Sequence, residues 1–311
     1  MHNITPPRQE EVPAHCACSE EHPSEHKEPA MRHEALQRYR VFLQVSRGLI
    51  LTVSLVMASS TTHSQDRRMW QNRKCAVSLT YDDALNVHLD TVVPLLDSLG
   101  FRGTFYLSGF FPSFRNRATE WRRVAERGHE LGNHTLFHPC DGTLPGREWV
   151  KPDYALEHYT VTRLLDEIAM ANVLLKTLDG RETRTFAYPC GDTKVGDSSY
   201  VEYLHADFAA ARGVHEGMQT MDEIDLYNVR AYMVSGQSGE ELIGLVNEAM
   251  EKNALLVFLF HGVGGEHSLN VSASDHRLLL RFLRQNEKDI WVAPLISIAE
   301  YIKTQRSSPR R

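Results

Sequence analysis

From Cys75 onward, short apolar runs alternate with longer stretches of helical period, and this alternation constrains the fold more than any other feature. It predicts strands at Ala76–Tyr81, Gly103–Leu107, Glu130–Asn133, Thr185–Tyr188, Phe208–Ala211, Val229–Val234, Ala254–His261 and Ile290–Ala293. Helices are expected at Val87–Leu99, Arg115–Arg127, Tyr154–Leu178, Ser199–Ala206, Gly239–Lys252, Ser274–Asn286 and Ser297–Lys303. Leu164, Ile168, Leu175 and Leu178, for example, recur at three-to-four spacing and form one apolar face. Strand–helix–strand order implies parallel pairing through βαβ units. About eight short strands with no internal repeat suit one α/β barrel better than two separate domains. That domain would run over 65–303, followed by a frayed basic tail at 304–311.

The N-terminal part reads differently. Residues 1–30 are rich in Pro, Glu and His with no apolar period, and cannot bury enough surface to offset their ordering entropy. His15, Cys16, Cys18, His22 and His26 match no closed tetrahedral site, so a disordered extension is the better reading. Residues 31–64 place arginines first, then the uncharged run Gly48–Ala58, then small polar residues. That is the order of a secretory signal, with cleavage near Ser60 or Ser64. The apolar run is shorter than the ~20 residues of a spanning helix. Export to the periplasm or the extracellular space is therefore expected, with no stable membrane anchor after cleavage, whether translation starts at Met1 or Met31. With 34 Lys+Arg against 40 Asp+Glu, the formal charge is −6. Binding to a nucleic-acid backbone needs clustered cations, so that partner is not expected. Five cysteines are too few for a disulfide scaffold.

In parallel α/β folds reactive groups gather at the C-terminal ends of strands. The first strand ends in Asp82-Asp83, whose side chains point opposite ways on extended backbone and so take different partners. The third ends in Asn133-His134-Thr135-Leu136-Phe137-His138-Pro139. Two histidines four apart share a face if the backbone makes a helical turn. Two imidazoles and one carboxylate are three ligands, which leaves a catalytic metal its open position. The fourth strand leads into Tyr188-Pro189-Cys190-Gly191, a turn with exposed N–H groups, and the seventh ends in His261.

Taken in this order, T-Y-D-D, H-T-L-F-H-P, F-A-Y-P-C-G and the apolar strand ending in His261 resemble the NodB-type polysaccharide deacetylases of carbohydrate esterase family 4. The resemblance runs from about Cys75 to Ile302. It implies a distorted, incomplete (β/α) barrel of the NodB type with about seven to eight strands, and a hydrolase that removes N- or O-linked acetyl groups from a carbohydrate. By position, Asp83, His134 and His138 would hold one divalent metal, with Zn2+ expected and Co2+ or Mn2+ as alternatives. Asp82 would be the base, His261 the acid, and the Cys190 N–H an oxyanion donor. The chain departs from the family pattern at Ala187, where an arginine usually partners the base. Arg230 is the expected replacement and Arg184 a weaker one. Tyr188 and Phe137, with Trp149 and Tyr154, are candidates for a sugar platform. His267 and His276 are expected to be exposed, with pocket lining as the alternative. Cys140 and Cys190 would both lie near the pocket, either bridged or as two buried thiols. The missing arginine leaves a non-catalytic carbohydrate-binding protein as one alternative. Hydrolysis of a small non-sugar amide or imide is another.

Overall fold

The principal strands form one sheet because each is buried along its length and its polar groups must pair with neighbours. A computed structural model describes residues 69–307. The extension, the signal-like segment and the cleavage positions lie outside the described residues. The principal strands are β1 (Cys75–Asp82), β2 (Thr104–Leu107), β3 (Glu130–Asn133), β4 (Arg184–Ala187), β5 (Phe208–Arg212) and β6 (Ala254–Phe260). The sheet runs β5-β4-β3-β2-β1-β6 and then Gln219–Thr220, with all pairs parallel except the last. Ile290–Val292 pairs with the start of β1, and Tyr232–Met233 with the end of β6.

Alternation along β1 divides the core in two. Cys75, Val77, Leu79 and Tyr81 pack with Leu242, Val246, Leu279 and Leu280 of the covering helices. Ala76 faces the other way and packs with Val257, Leu259, Leu295 and Ile298. The covering helices include α1 (Val161–Asp179), α2 (Gly239–Lys252) and α3 (Ala273–Gln285). The last helix, α4 (Leu295–Ser307), docks at the starts of β2 and β3. There the Ile296 N–H donates to Glu130 (3.0 Å) and the Leu295 N–H to Thr104 (2.8 Å). A carboxylate at a helix N-terminus is favourable. Glu130 also accepts from Thr104 and Thr185, so it is a structural anchor.

The predicted strand Val229–Val234 is regular only at Tyr232–Met233, but it closes the barrel mouth. Val229 N–H donates to Ala211 O (3.0 Å) on the β5 side, and Val234 N–H to Leu259 O (2.8 Å) on the β6 side. Other expectations shift at element ends. The helix expected at Arg115–Arg127 breaks at Arg117 into Pro112–Asn116 and Ala118–Glu126. Ser199–Ala206 is a 3-10 turn over Val201–His205. The long helix begins only at Val161, capped by Thr160, and ends at Gly180 in the left-handed region (φ 69°). The tail expected to fray from Thr304 is helical to Ser307, because Arg306 donates to the carbonyls of Met221 and Ile224.

Candidate active site

The C-terminal ends of β1, β3, β4 and β6 come together, and a cleft of about 340 Å³ beside them has a lining that includes Asp83, His138 and His267. Backbone strain is concentrated there: Asp83 (φ 78°), Ala84 (52°), Thr135 (61°), His138 (53°) and Cys190 (56°) are non-glycine residues at positive φ. Such conformations cost about 1–3 kcal/mol each and persist only where the surroundings hold them. In the loop after β3 the restraints are visible. Asn133 Oδ1 accepts from the Thr135 N–H (2.8 Å), Thr135 Oγ1 from the His138 N–H (2.9 Å), and Glu167 of α1 from the Phe137 N–H (2.8 Å).

The result is a three-residue cluster. His134 Nε2 lies 3.6 Å and His138 Nε2 3.5 Å from Asp83 Oδ1. That oxygen is buried and has no hydrogen-bond partner. His134 donates from Nδ1 to the Ala187 carbonyl (2.8 Å), which leaves the Nε2 lone pair facing Asp83. One carboxylate and two imidazoles converging on a common point are a donor set that could hold a metal cation. Protonation states agree with that. Burial works to raise Asp83, but His134, His138 and His261 hold its carboxyl well below the usual carboxylate range. Burial pushes His138 down to about 4 against the pull of Asp83. An anionic carboxylate and a neutral imidazole are the ligating forms.

Around this cluster stand three further groups. Asp82 is buried, and its Oδ2 is held by Arg212 while Oδ1 has no hydrogen-bond partner. His261 sits at the tip of β6 with Nε2 4.0 Å from Asp83 Oδ2, and burial lowers its pKa. Its carbonyl meets His88 Nε2 at 2.8 Å. Cys190 lies in the 3-10 turn Pro189–Gly191 and is bridged to Cys140, Cα to Cα 5.8 Å. The bridge joins the loop after β3 to the turn after β4. Arg147 adds to it, reaching Asp192 and the Cys190 carbonyl (3.0 Å).

Residues 71–205 match the family model described as polysaccharide deacetylase. Among curated proteins, a gellan lyase from Bacillus sp is 29% identical over 188 residues, 60% of this chain and 6% of that protein. The uncharacterized protein YlxY of Bacillus subtilis (strain 168) is 26% identical over 140 residues, 45% of this chain and 36% of that one. The chain thus spans well under half the length of either. A solved candidate polysaccharide deacetylase from Mycobacterium smegmatis superimposes with a TM-score of 0.56 at 14% identity, covering 78% of this chain and 95% of that one. Another from Pseudomonas aeruginosa PAO1 gives 0.52 at 10% identity, covering 78% and 94%. At such identities the likeness is one of fold.

Against the deacetylase pattern, the structure corrects several sequence expectations. Arg230 is exposed, with its guanidinium against the Glu216 carbonyl (3.5 Å), and does not meet Asp82. Arg184 is buried on Asp179. The partner of Asp82 is Arg212, at the end of β5 in register with Ala187, the very position that lacks the usual arginine. Register explains the exchange: neighbouring parallel strands deliver residues of the same level to the same place. A cation closing the strand Phe208-Ala-Ala-Ala-Arg212 was the available signal, but the predicted strand stopped one residue short of it. Tyr188 is buried, its hydroxyl donating to the Tyr227 carbonyl (2.8 Å), so it does not line the cleft. Phe137, Trp149 and Tyr154 do, with Phe110 and Phe111, which sequence reasoning missed. His276 is fully buried, its Nε2 meeting the Tyr81 hydroxyl (2.9 Å), rather than exposed. His267 is part of the cleft.

Proposed function

We propose that this protein is a metal-dependent hydrolase that removes acetyl groups from a carbohydrate. The reading rests chiefly on Asp82, a buried carboxylate with one oxygen held by Arg212 and the other unpartnered beside the Asp83–His134–His138 cluster. Pure sugar binding has no use for such a group.

A divalent cation held by Asp83, His134 and His138, with Zn2+ first and Co2+ or Mn2+ as alternatives, would polarise the acyl carbonyl and acidify a water. Asp82 Oδ1 accepts the proton of the attacking water, while Arg212 on Oδ2 fixes the carboxylate's rotation. The Cys190 N–H is assigned to the oxyanion, on a turn tied by the Cys140–Cys190 bridge. His261 protonates the leaving amine or alcohol, so N-acetyl amides and O-acetyl esters would use the same groups. Phe137, Trp149 and Tyr154 offer aromatic faces to a sugar ring. The signal-like order of residues 31–64 supports export, and a disulfide fits an oxidising compartment. The case for a non-catalytic binder leaned on the missing arginine at Ala187, and Arg212 removes that support.

The test is acetate release by the chain from residue 65, metal-free and zinc-loaded, on N-acetylated oligosaccharides and on acetylated xylan. Zinc-dependent release on either is the expected result and separates amide from ester. Stoichiometric metal binding with no release on any acetylated sugar would overturn the reading.

A further inference from the structure

The loop after His261 is built to deliver a third imidazole. Gly262 N–H donates to Leu269 O (3.0 Å) and Gly265 N–H to Asn270 Oδ1 (2.8 Å), folding the loop back on itself. The fold-back admits no side chain at Gly262, where a Cβ would lie 2.4 Å from the Gly265 carbonyl oxygen. Glu266, at φ 69°, clamps the loop by accepting from Asn86 Nδ2 and the Val87 N–H, both at 2.6 Å. Loops are usually the loosest part of such a fold, so this degree of restraint points to a side chain that must stay in place.

That side chain is His267. Its ring stacks on His261 (centroids 4.6 Å apart, planes at 14°), and its Nε2 lies 3.8 Å from Asp83 Oδ2. Its tautomer is set oppositely to that of His134. His134 donates from Nδ1 and keeps a lone pair on Nε2, whereas His267 Nδ1 accepts the Leu269 N–H (3.0 Å). A neutral imidazole that accepts at one nitrogen carries its proton on the other. Nε2 of His267 is therefore an N–H donor and a poor metal ligand.

We propose that His267 is a positioning residue: its Nε2–H, 3.8 Å from Asp83 Oδ2 and so an electrostatic neighbour rather than a direct hydrogen-bond donor to it, biases the rotation of that carboxylate, and its ring face fixes the plane of His261. With Oδ2 facing this donor, Asp83 keeps Oδ1 toward His134 and His138, where it would meet the cation. The inference rests on the metal site of the proposed function, and its test reads metal affinity rather than turnover alone.

The variants are His267→Phe, which keeps a stacking ring without the donor, and His267→Gln, whose amide can donate from nearly the same point. Zinc affinity is measured by chelator competition, and the Co2+ absorption spectrum is recorded for each. Partners that orient metal ligands are worth about 10–100-fold in affinity. His267→Phe should weaken zinc about tenfold with an unchanged Co2+ spectrum, and His267→Gln should restore it to within about twofold. Wild-type affinity in His267→Phe would overturn the proposal. So would failure of His267→Gln to rescue, which would leave only loop packing. A loss beyond about 1,000-fold with an altered Co2+ spectrum would make His267 a ligand and refute it as well. If the wild-type chain binds no divalent cation, the metal site itself falls, an outcome distinct from the others.

Discussion

Replacing Arg212 by Met tests the substitution of one arginine for another across neighbouring strands. Arg212 is fully buried and Asp82 nearly so, with a side chain 5% exposed. Removing the guanidinium alone leaves a carboxylate with no cation to compensate it, and breaking a buried pair in this way costs about 3–5 kcal/mol. That is a large share of the roughly 5–15 kcal/mol that holds a domain together. Adding Asp82→Asn removes the stranded charge, so the double variant should recover part of the loss, with a coupling of about 2–3 kcal/mol. Urea unfolding of the four proteins in the cycle gives this number directly. Acetate release supplies the second readout. Arg212→Met should lose about 100-fold or more in turnover, the lower end of what a positioned base contributes. Arg230→Met, at an exposed site, should stay within about 0.5 kcal/mol and keep its activity. Coupling below about 0.5 kcal/mol would refute the argument, as would activity that survives loss of Arg212 but not loss of Arg230.

The Cys140–Cys190 bridge closes a span of 50 residues, worth about 4 kcal/mol on the chain-entropy account. The Cys140→Ser/Cys190→Ser variant should therefore melt markedly lower than the oxidised protein, and equal melting temperatures would show that the bridge adds nothing. His88 and His276 are both fully buried, and burial pushes them down to about 4 and about 3. The unfolded chain binds these protons below about pH 6.5 while the folded chain resists them. Metal-free stability should then be full above pH 6.5 and fall between 6.5 and 4, by up to about 1.4 kcal/mol per pH unit for each histidine. A urea midpoint that stays flat from pH 7 to 5 would contradict this. Tyr188→Phe should cost about 1 kcal/mol of stability and leave KM unchanged, because its hydroxyl only bonds the Tyr227 carbonyl. Trp149→Ala should raise KM with little effect on stability, because that ring lines the cleft and is 61% exposed.

Much of this protein was legible in its order of residues. Period-two and helical apolar patterns are local, so they disclosed the strands, the parallel sheet and its strand ends. The polar residues that interrupt those patterns at strand ends, Asp82-Asp83, His134, His138 and His261, stood out against apolar runs, and the fold brings them to one cleft. Element ends were less legible because capping, as at Thr160 and Gly180, depends on single residues. What the sequence could not decide were contacts between residues with no local relation. Arg212 reaches Asp82 across 130 positions only because β5 lies beside β4 in a particular register. Tyr188 and Phe137 are both aromatic and both near motif residues, yet one is buried in the core and the other lines the cleft. Cys140 meets Cys190 because two loops converge over one barrel mouth. His267 joins the site through a loop folded back on Gly262. Local pattern determined which chemistry the chain carries. Register and loop closure, which arise only when distant segments pack, decided which of its arginines, aromatics and histidines take part.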